Sequence, residues 1–223
     1  EFLKMPEYLQ VWPAHGAGSA CGKALGAVPQ STVGYEKRFN SSLRAADDEQ
    51  TFVHNILDGQ PEPPLYFARM KRWNGDGAAL LKDGKLPMPR ELNAADVKKI
   101  DAKTQAVLDT RAWPQFKAGH LAGALHTPLG NQFATLAGSY VGEHEPIIVL
   151  CEASQVDEAE RCLVRVGLDN AVGFFTPATL QAVAASGMKL LQTREIDAAT
   201  FIREMKNPDA VVLDVRRAAE YDA

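Results

Sequence analysis

The chain has 223 residues, a mass of 24.2 kDa, 46% hydrophobic residues and a net charge of −4 with a pI near 5.8. That composition supports the core of one large domain or two small ones, and without a block of Lys and Arg the electrostatic footprint of a nucleic-acid binder is missing. No apolar run approaches the roughly 18 residues that span a bilayer, no signal-peptide order opens the chain, and Cys21, Cys151 and Cys162 lie too far apart to read as a disulfide framework. The expectation is a cytoplasmic protein with a small-molecule or protein partner, no nucleic acid and no membrane. In that setting the sequon Asn40-Ser41-Ser42 carries no meaning. Glu1 is not an initiator Met, and the chain stops soon after an apolar strand pattern; the expectation is a fragment of a longer protein.

Residues 8–12 read as a short strand. The stretch VWPAHGAGSACGK (residues 11–23) then puts His15 on a glycine-rich turn with Cys21 six residues later. Neither phosphate-loop pattern closes there: Cys21 stands at the last glycine of a GxGxxG, and Ala24 follows Gly22-Lys23 where Ser or Thr is needed. Helices are predicted over 34–43 and 50–57, QPEPP at 60–64 breaks the pattern, and another helix starts over 65–73. Glycine- and aspartate-rich segments at 74–77 and 82–85, with Pro87-Met88-Pro89, mark a domain boundary near residue 90.

Beyond it the chain repeats itself. LNAAD at Leu92 and IDAAT at Ile196 each precede a short amphipathic helix, and AVLDTRAWPQF (106–116) matches VVLDVRRAAEY (211–221). Asp109 pairs with Asp214, Arg111 with Arg216 and Phe116 with Tyr221, at a spacing of 105 residues. That spacing is domain-sized, and the second copy stops early. Within the first copy, apolar strands at 106–108 and 147–150 alternate with helices at 156–166 and 177–185, the pattern of an α/β fold whose parallel sheet is covered on both faces. Ligands of such sheets sit beyond the carboxyl ends of the strands. Cys151 is the first residue after the second strand, where a helix N-terminus would stabilise a thiolate or persulfide.

These residues carry a resemblance. LDTRAWPQFKAGHLAGALHTPL (108–129) resembles the rhodanese signature through Asp109, Arg111, Phe116, Gly119, His120, Gly123 and Ala124, and VVLDVRRAAEY looks like the start of a second such domain. The first 90 residues, through the Pro-x-His-Gly turn, GSACGK, STVGYEKRFN (31–40) and PEPPLYFARMKRWNGDGAALL (61–81), resemble the end of a metallo-β-lactamase-fold domain of the glyoxalase II and persulfide dioxygenase type. The resemblance implies three parts: the C-terminal part of a metallo-β-lactamase αββα sandwich over 1–90, a first rhodanese-like three-layer α/β domain over 91–190, degenerate in its active loop, and the beginning of a second rhodanese domain over 191–223.

For the whole protein it implies oxidation of a thiol persulfide of the glutathione or coenzyme A class to sulfite at a non-haem Fe(II), with sulfane sulfur passed through rhodanese domains to give thiosulfate, in a homo-oligomer. A zinc thioester hydrolase with accessory rhodanese modules and a non-catalytic docking module are the alternatives. His15 takes a metal-pocket position, with direct ligation open and the other ligands upstream. Cys21 is either a small apolar filler or a persulfide relay helped by Lys23.

An active rhodanese loop surrounds its sulfur with backbone amides and a cation. Here CEASQVDE lacks both Gly and Arg, and Glu152, Asp157 and Glu158 add negative charge. Cys151 therefore reads as a weak sulfur-transfer candidate in a structural repeat. Cys162 reads as core, and Asp109, Arg111, His120, Asp214 and Arg216 as holders of strand and loop geometry. Tyr66, Phe67, Met70 and Trp73 read as an interdomain packing face, with Arg69, Lys71 and Arg72 able to meet an anionic thiol.

Overall fold

The computed structural model describes residues 1–13, 30–58, 63–216 and 221. His15 and Cys21 lie outside the described residues. The chain divides into two compact units, Glu1–Glu62 with Leu213–Ala223, and Pro63–Val212.

In the first unit, strand β1 (Gln10–Val11) pairs antiparallel with β2 (Ser31–Thr32). Thr32 caps α1 (Val33–Phe39) by accepting from the Tyr35 N–H at 3.2 Å. The single helix predicted over 34–43 is broken at Asn40, whose extended backbone ends α1 while its side chain accepts from Ser42 and Leu43 to start α2 (Ser41–Arg44). A good N-cap inside an amphipathic stretch splits it, because its side chain competes for the helical N–H groups. Asp48 caps α3 (Glu49–Leu57).

The second unit opens with α4 (Tyr66–Asp76), which runs through the expected turn and stops at Gly77 with φ +90°. The strands that follow are β3 (Arg90–Glu91), β4 (Ala106–Asp109), β5 (Leu125–His126), β6 (Ile147–Leu150) and β7 (Ala171–Phe175). The helices between and after them are α5 (Ala94–Val97), α6 (Trp113–Ala118), α7 (Phe133–Tyr140), α8 (Val156–Arg165), α9 (Pro177–Ala185) and α10 (Ala198–Glu204). The five strands form one parallel sheet in the order β3-β7-β6-β4-β5. Alternation along the strands sends Leu108, Ile147 and Val149 to one face, against Phe133 and Ala137 of α7 and Ala159 and Leu163 of α8. Val107, Ile148 and Leu150 face the other way, against Val97 of α5 and Leu180 and Val183 of α9. The expected α/β class with a parallel sheet covered on both faces is what forms.

Two expectations change. The compact unit begins at Pro63 instead of near residue 90, because α4 packs on the helices of the sheet. Tyr66 lies so close to Gly138 of α7 that a Cβ there would sit 2.6 Å from its ring. Buried Arg69 donates to the Val166 carbonyl at 2.9 and 2.7 Å, and Arg72 pairs with Glu143 at 2.7 Å. Tyr66 and Trp73 of the aromatic stripe thus pack within one unit while Phe67 is exposed, and Arg69 and Arg72 are engaged by protein groups. The second change is at 211–214, which forms no strand: a parallel strand exists only through its neighbours, and none of the described residues pairs with it.

Candidate functional site

The carboxyl ends of β5, β4 and β6 lie side by side, with Asp109 in register with His126 on one flank and Leu150 on the other. Buried Asp109 is gripped by Arg111, which donates from Nε at 2.9 Å, from Nη2 at 2.6 Å and from its backbone N–H at 3.1 Å. The same guanidinium donates to the Gly119 carbonyl at 2.8 Å, tying the end of β4 to the turn after α6. A fork-on-fork pair of this kind is strong and directional. His120 stacks on Phe116 at 4.0 Å between centroids, its Nδ1 2.9 Å from the Phe116 carbonyl, and its backbone exchanges two hydrogen bonds with Leu191. His126 Nε2 lies 3.0 Å from the Arg111 carbonyl. Gly123 has φ +79°, and a Cβ there would come within 2.6 Å of the Ala102 side chain, so the signature needs glycine at this point. Asp109, Arg111, Phe116, His120 and Gly123 are all occupied in holding backbone.

Cys151 follows β6, as expected, but its side chain does not stand over the loop. It packs in the core with Val156, Ala159 and Leu163, 1% exposed, and its N–H is spent on the Phe175 carbonyl at 3.1 Å. The next amide, Glu152 N–H, goes to the Gln155 side chain. The two amides nearest the sulfur are therefore used. Burial, then Glu160, then Glu152 push the Cys151 thiol up to about 12. Of the acidic groups named in the loop, only Glu152 acts on it: Asp157 points to solvent and pairs with Arg161 at 2.8 Å. Cys162 packs half-buried against the same core.

The group that sequence reasoning missed is Glu160. On α8 the buried positions are Val156, Ala159, Glu160 and Leu163, so a carboxylate occupies a slot of the apolar stripe. Glu160 is buried, neither oxygen has a hydrogen-bond partner, and burial with help from Asp169 pushes its carboxyl up to about 7. The spacing of 156, 159, 160 and 163 was the available signal.

With this geometry in place, known proteins can be set beside it. Residues 93–176 match the model of the rhodanese-like domain. This segment is a rhodanese-like domain. The chain is also similar to the crystal structure of a metallo-β-lactamase from Staphylococcus aureus subsp. aureus COL, with 32% identity, a TM-score of 0.58 and 78% of this chain covered. It spans 47% of that structure's chain, about half its length. A rhodanese-like domain of an Anabaena protein aligns at 21% identity over 42% of this chain and 98% of its own, TM-score 0.35. A single-domain sulfurtransferase of Saccharomyces cerevisiae aligns at 14% over 47% and 98%, TM-score 0.39. No curated protein matches the chain.

Around the rhodanese-like domain, no helix among the described residues is long and apolar enough to cross a membrane. Among the same residues no three His, Cys, Asp or Glu side chains converge as metal ligands, so they do not by themselves fit a resident iron or zinc.

Proposed function

We propose that the chain is part of a multidomain sulfur-handling enzyme in which the rhodanese-like domain serves as a structural module and does not transfer sulfur. One observation carries the proposal: a rhodanese-like domain shares a chain with a likeness to a metallo-β-lactamase structure at 32% identity. In the whole protein, an Fe(II) held by the metallo-β-lactamase portion would supply oxidation of a low-molecular-weight thiol persulfide of the glutathione or coenzyme A class by O₂ to sulfite and the free thiol, and a second rhodanese domain would move sulfane sulfur from a persulfide to sulfite, giving thiosulfate and the free thiol. His15 borders the metal pocket and Cys21 relays persulfide in this reading.

The described residues contribute a scaffold. The Asp109–Arg111 fork, the His120 stack and the Leu191 bridge set the shape of the sheet's carboxyl edge. Cys151 stays a thiol: its burial and the neighbouring Glu160 and Glu152 push it up to about 12, so the thiolate that a nucleophile needs is disfavoured at neutral pH.

Oxygen uptake with glutathione persulfide and metal analysis of the whole protein test the catalytic half. Consumption of O₂ with bound iron is expected, and zinc with no O₂ consumption would replace this reading with the thioester hydrolase. Cyanolysis of sulfur-loaded protein tests the module half. Cys151→Ser should leave the thiocyanate yield unchanged, and a loss of one equivalent would make Cys151 a sulfur carrier.

A further inference from the structure

Cys151 and Glu160 are enclosed together. The thiol enters the core face formed by Val156, Ala159 and Leu163 of α8, and Glu160 sits on that same stripe beside Ala159. Both residues are 1% exposed. Neither Glu160 oxygen has a partner among the described residues. The charged groups that face the pair all have the wrong sign to hold a carboxylate: Asp169 before β7 acts on Glu160, and Glu152 after β6 acts on Cys151. Helix α7, packed beside α8, is FATLAGSY and carries no charge. The Arg69 guanidinium of α4 acts on Asp169 and is bonded to the Val166 carbonyl. On α8 itself, Asp157 and Arg161 pair with each other at the surface.

We propose that Glu160 is a proton-controlled latch: protonated, it packs in the apolar stripe and keeps α8 closed over Cys151, and its ionisation favours an opened α8 that exposes the thiol to reagents in solution. The proposal rests on the reading of Cys151 as a thiol silenced by enclosure. An unpartnered carboxylate buried among apolar side chains is costly when charged and tolerable when neutral. Glu160 closed holds its proton up to about pH 7, whereas an opened, hydrated glutamate releases it near pH 4.3. Each opening between those limits releases one proton, so the open population rises about tenfold per pH unit. Alkylation of the exposed thiol needs a second proton loss, from sulfur.

The test is the rate at which iodoacetamide alkylates Cys151 in the full chain, followed by mass spectrometry of the Cys151 peptide so that Cys21 and Cys162 do not enter. The rate should climb about a hundredfold per pH unit between pH 5 and 7, and about tenfold per unit from pH 7 to 8.5. Glu160→Gln should climb about tenfold per unit throughout, from thiol ionisation alone. Glu160→Ala should react faster at every pH, because the lost packing opens α8 more often, yet keep the tenfold slope. A tenfold slope in the unaltered protein, or a hundredfold slope kept by Glu160→Gln, would overturn the latch. Alkylation at pH 7 at the rate of a free thiol would instead overturn the silencing of Cys151, so the two failures are distinguishable.

Discussion

The two copies of the repeated motif share their local hydrogen bonding and differ in everything that depends on neighbours. Asn93 caps α5 through Ala95 and Asp96, and Asp197 caps α10 through Thr200 at 2.7 Å. Arg111 grips Asp109, and Arg216 grips Asp214 with the same side-chain fork and the same backbone bond, the latter at 2.8 Å. Burial separates them. Leu108 is 0% exposed and Leu213 81%. The side chains of Arg111 and Asp109 are 12% and 1% exposed, those of Arg216 and Asp214 57% and 30%. Caps and forks are written within a few residues and form wherever the sequence occurs. A parallel strand exists only beside another strand, and of the two copies it is β4 that lies between β5 and β6, whereas none of the described residues pairs with 211–214.

Removing one partner of each fork should break this comparison open most visibly. Asp109→Ala leaves the enclosed Arg111 charge without its carboxylate and should cost about 3–5 kcal/mol in urea unfolding, whereas Asp214→Ala should leave the transition where it was. An equal loss at both positions would mean that the second copy is held by packing after all. Leu108→Ala empties a core slot and should cost about 2–5 kcal/mol, with Leu213→Ala indistinguishable from the parent by the same measurement.

Glu160, which has no counterpart in the second copy's described residues, gives the pH signature of the first. Its carboxyl is raised from 4.5 to about 7 in the folded unit. The folded state therefore binds the extra proton, and stability present below about pH 4.5 is lost as pH rises to about 7, by about 3 kcal/mol in total. Urea midpoints across that range should show the fall, and Glu160→Gln should remove that contribution. The smallest of these effects belongs to α4. Arg69→Ala leaves the Val166 carbonyl without its donor and should cost about 1–3 kcal/mol. A loss near zero would put the start of the folded unit back toward residue 90.

Much of the fold was legible in the residues. Continuous apolar runs gave β4 and β6, and α9 formed over 177–185 as its pattern required. What stayed hidden depends on contacts across the sheet. β3 and β5 are two residues long, too short for a pattern. β7 carries Gly173 where Leu92 packs so closely that a Cβ would lie 3.0 Å from it. The start of the compact unit at Pro63 was not legible, because glycine and proline after α4 punctuate the chain without ending the packing of the helix before them.

At the candidate site, the signature residues were found through the resemblance to the rhodanese signature, and Asp109, Arg111 and His120 engage neighbouring backbone groups. The direction of the Cys151 side chain was not legible. A residue at a strand end faces either the loop or the core according to the strand's alternation, and the motif alone does not say which. Glu160 stayed hidden because proximity in sequence to Cys151 does not set proximity in space: the helix turns Asp157 outward and Glu160 inward.

In the reading proposed above, the first repeat keeps the sheet edge of a rhodanese-like domain while its buried cysteine does not carry sulfur. Incubating the chain with glutathione persulfide at pH 7 and measuring sulfane sulfur on the Cys151 peptide by mass spectrometry tests it directly. The account predicts an unmodified Cys151 thiol. A persulfide on Cys151 in near-stoichiometric amount would contradict it.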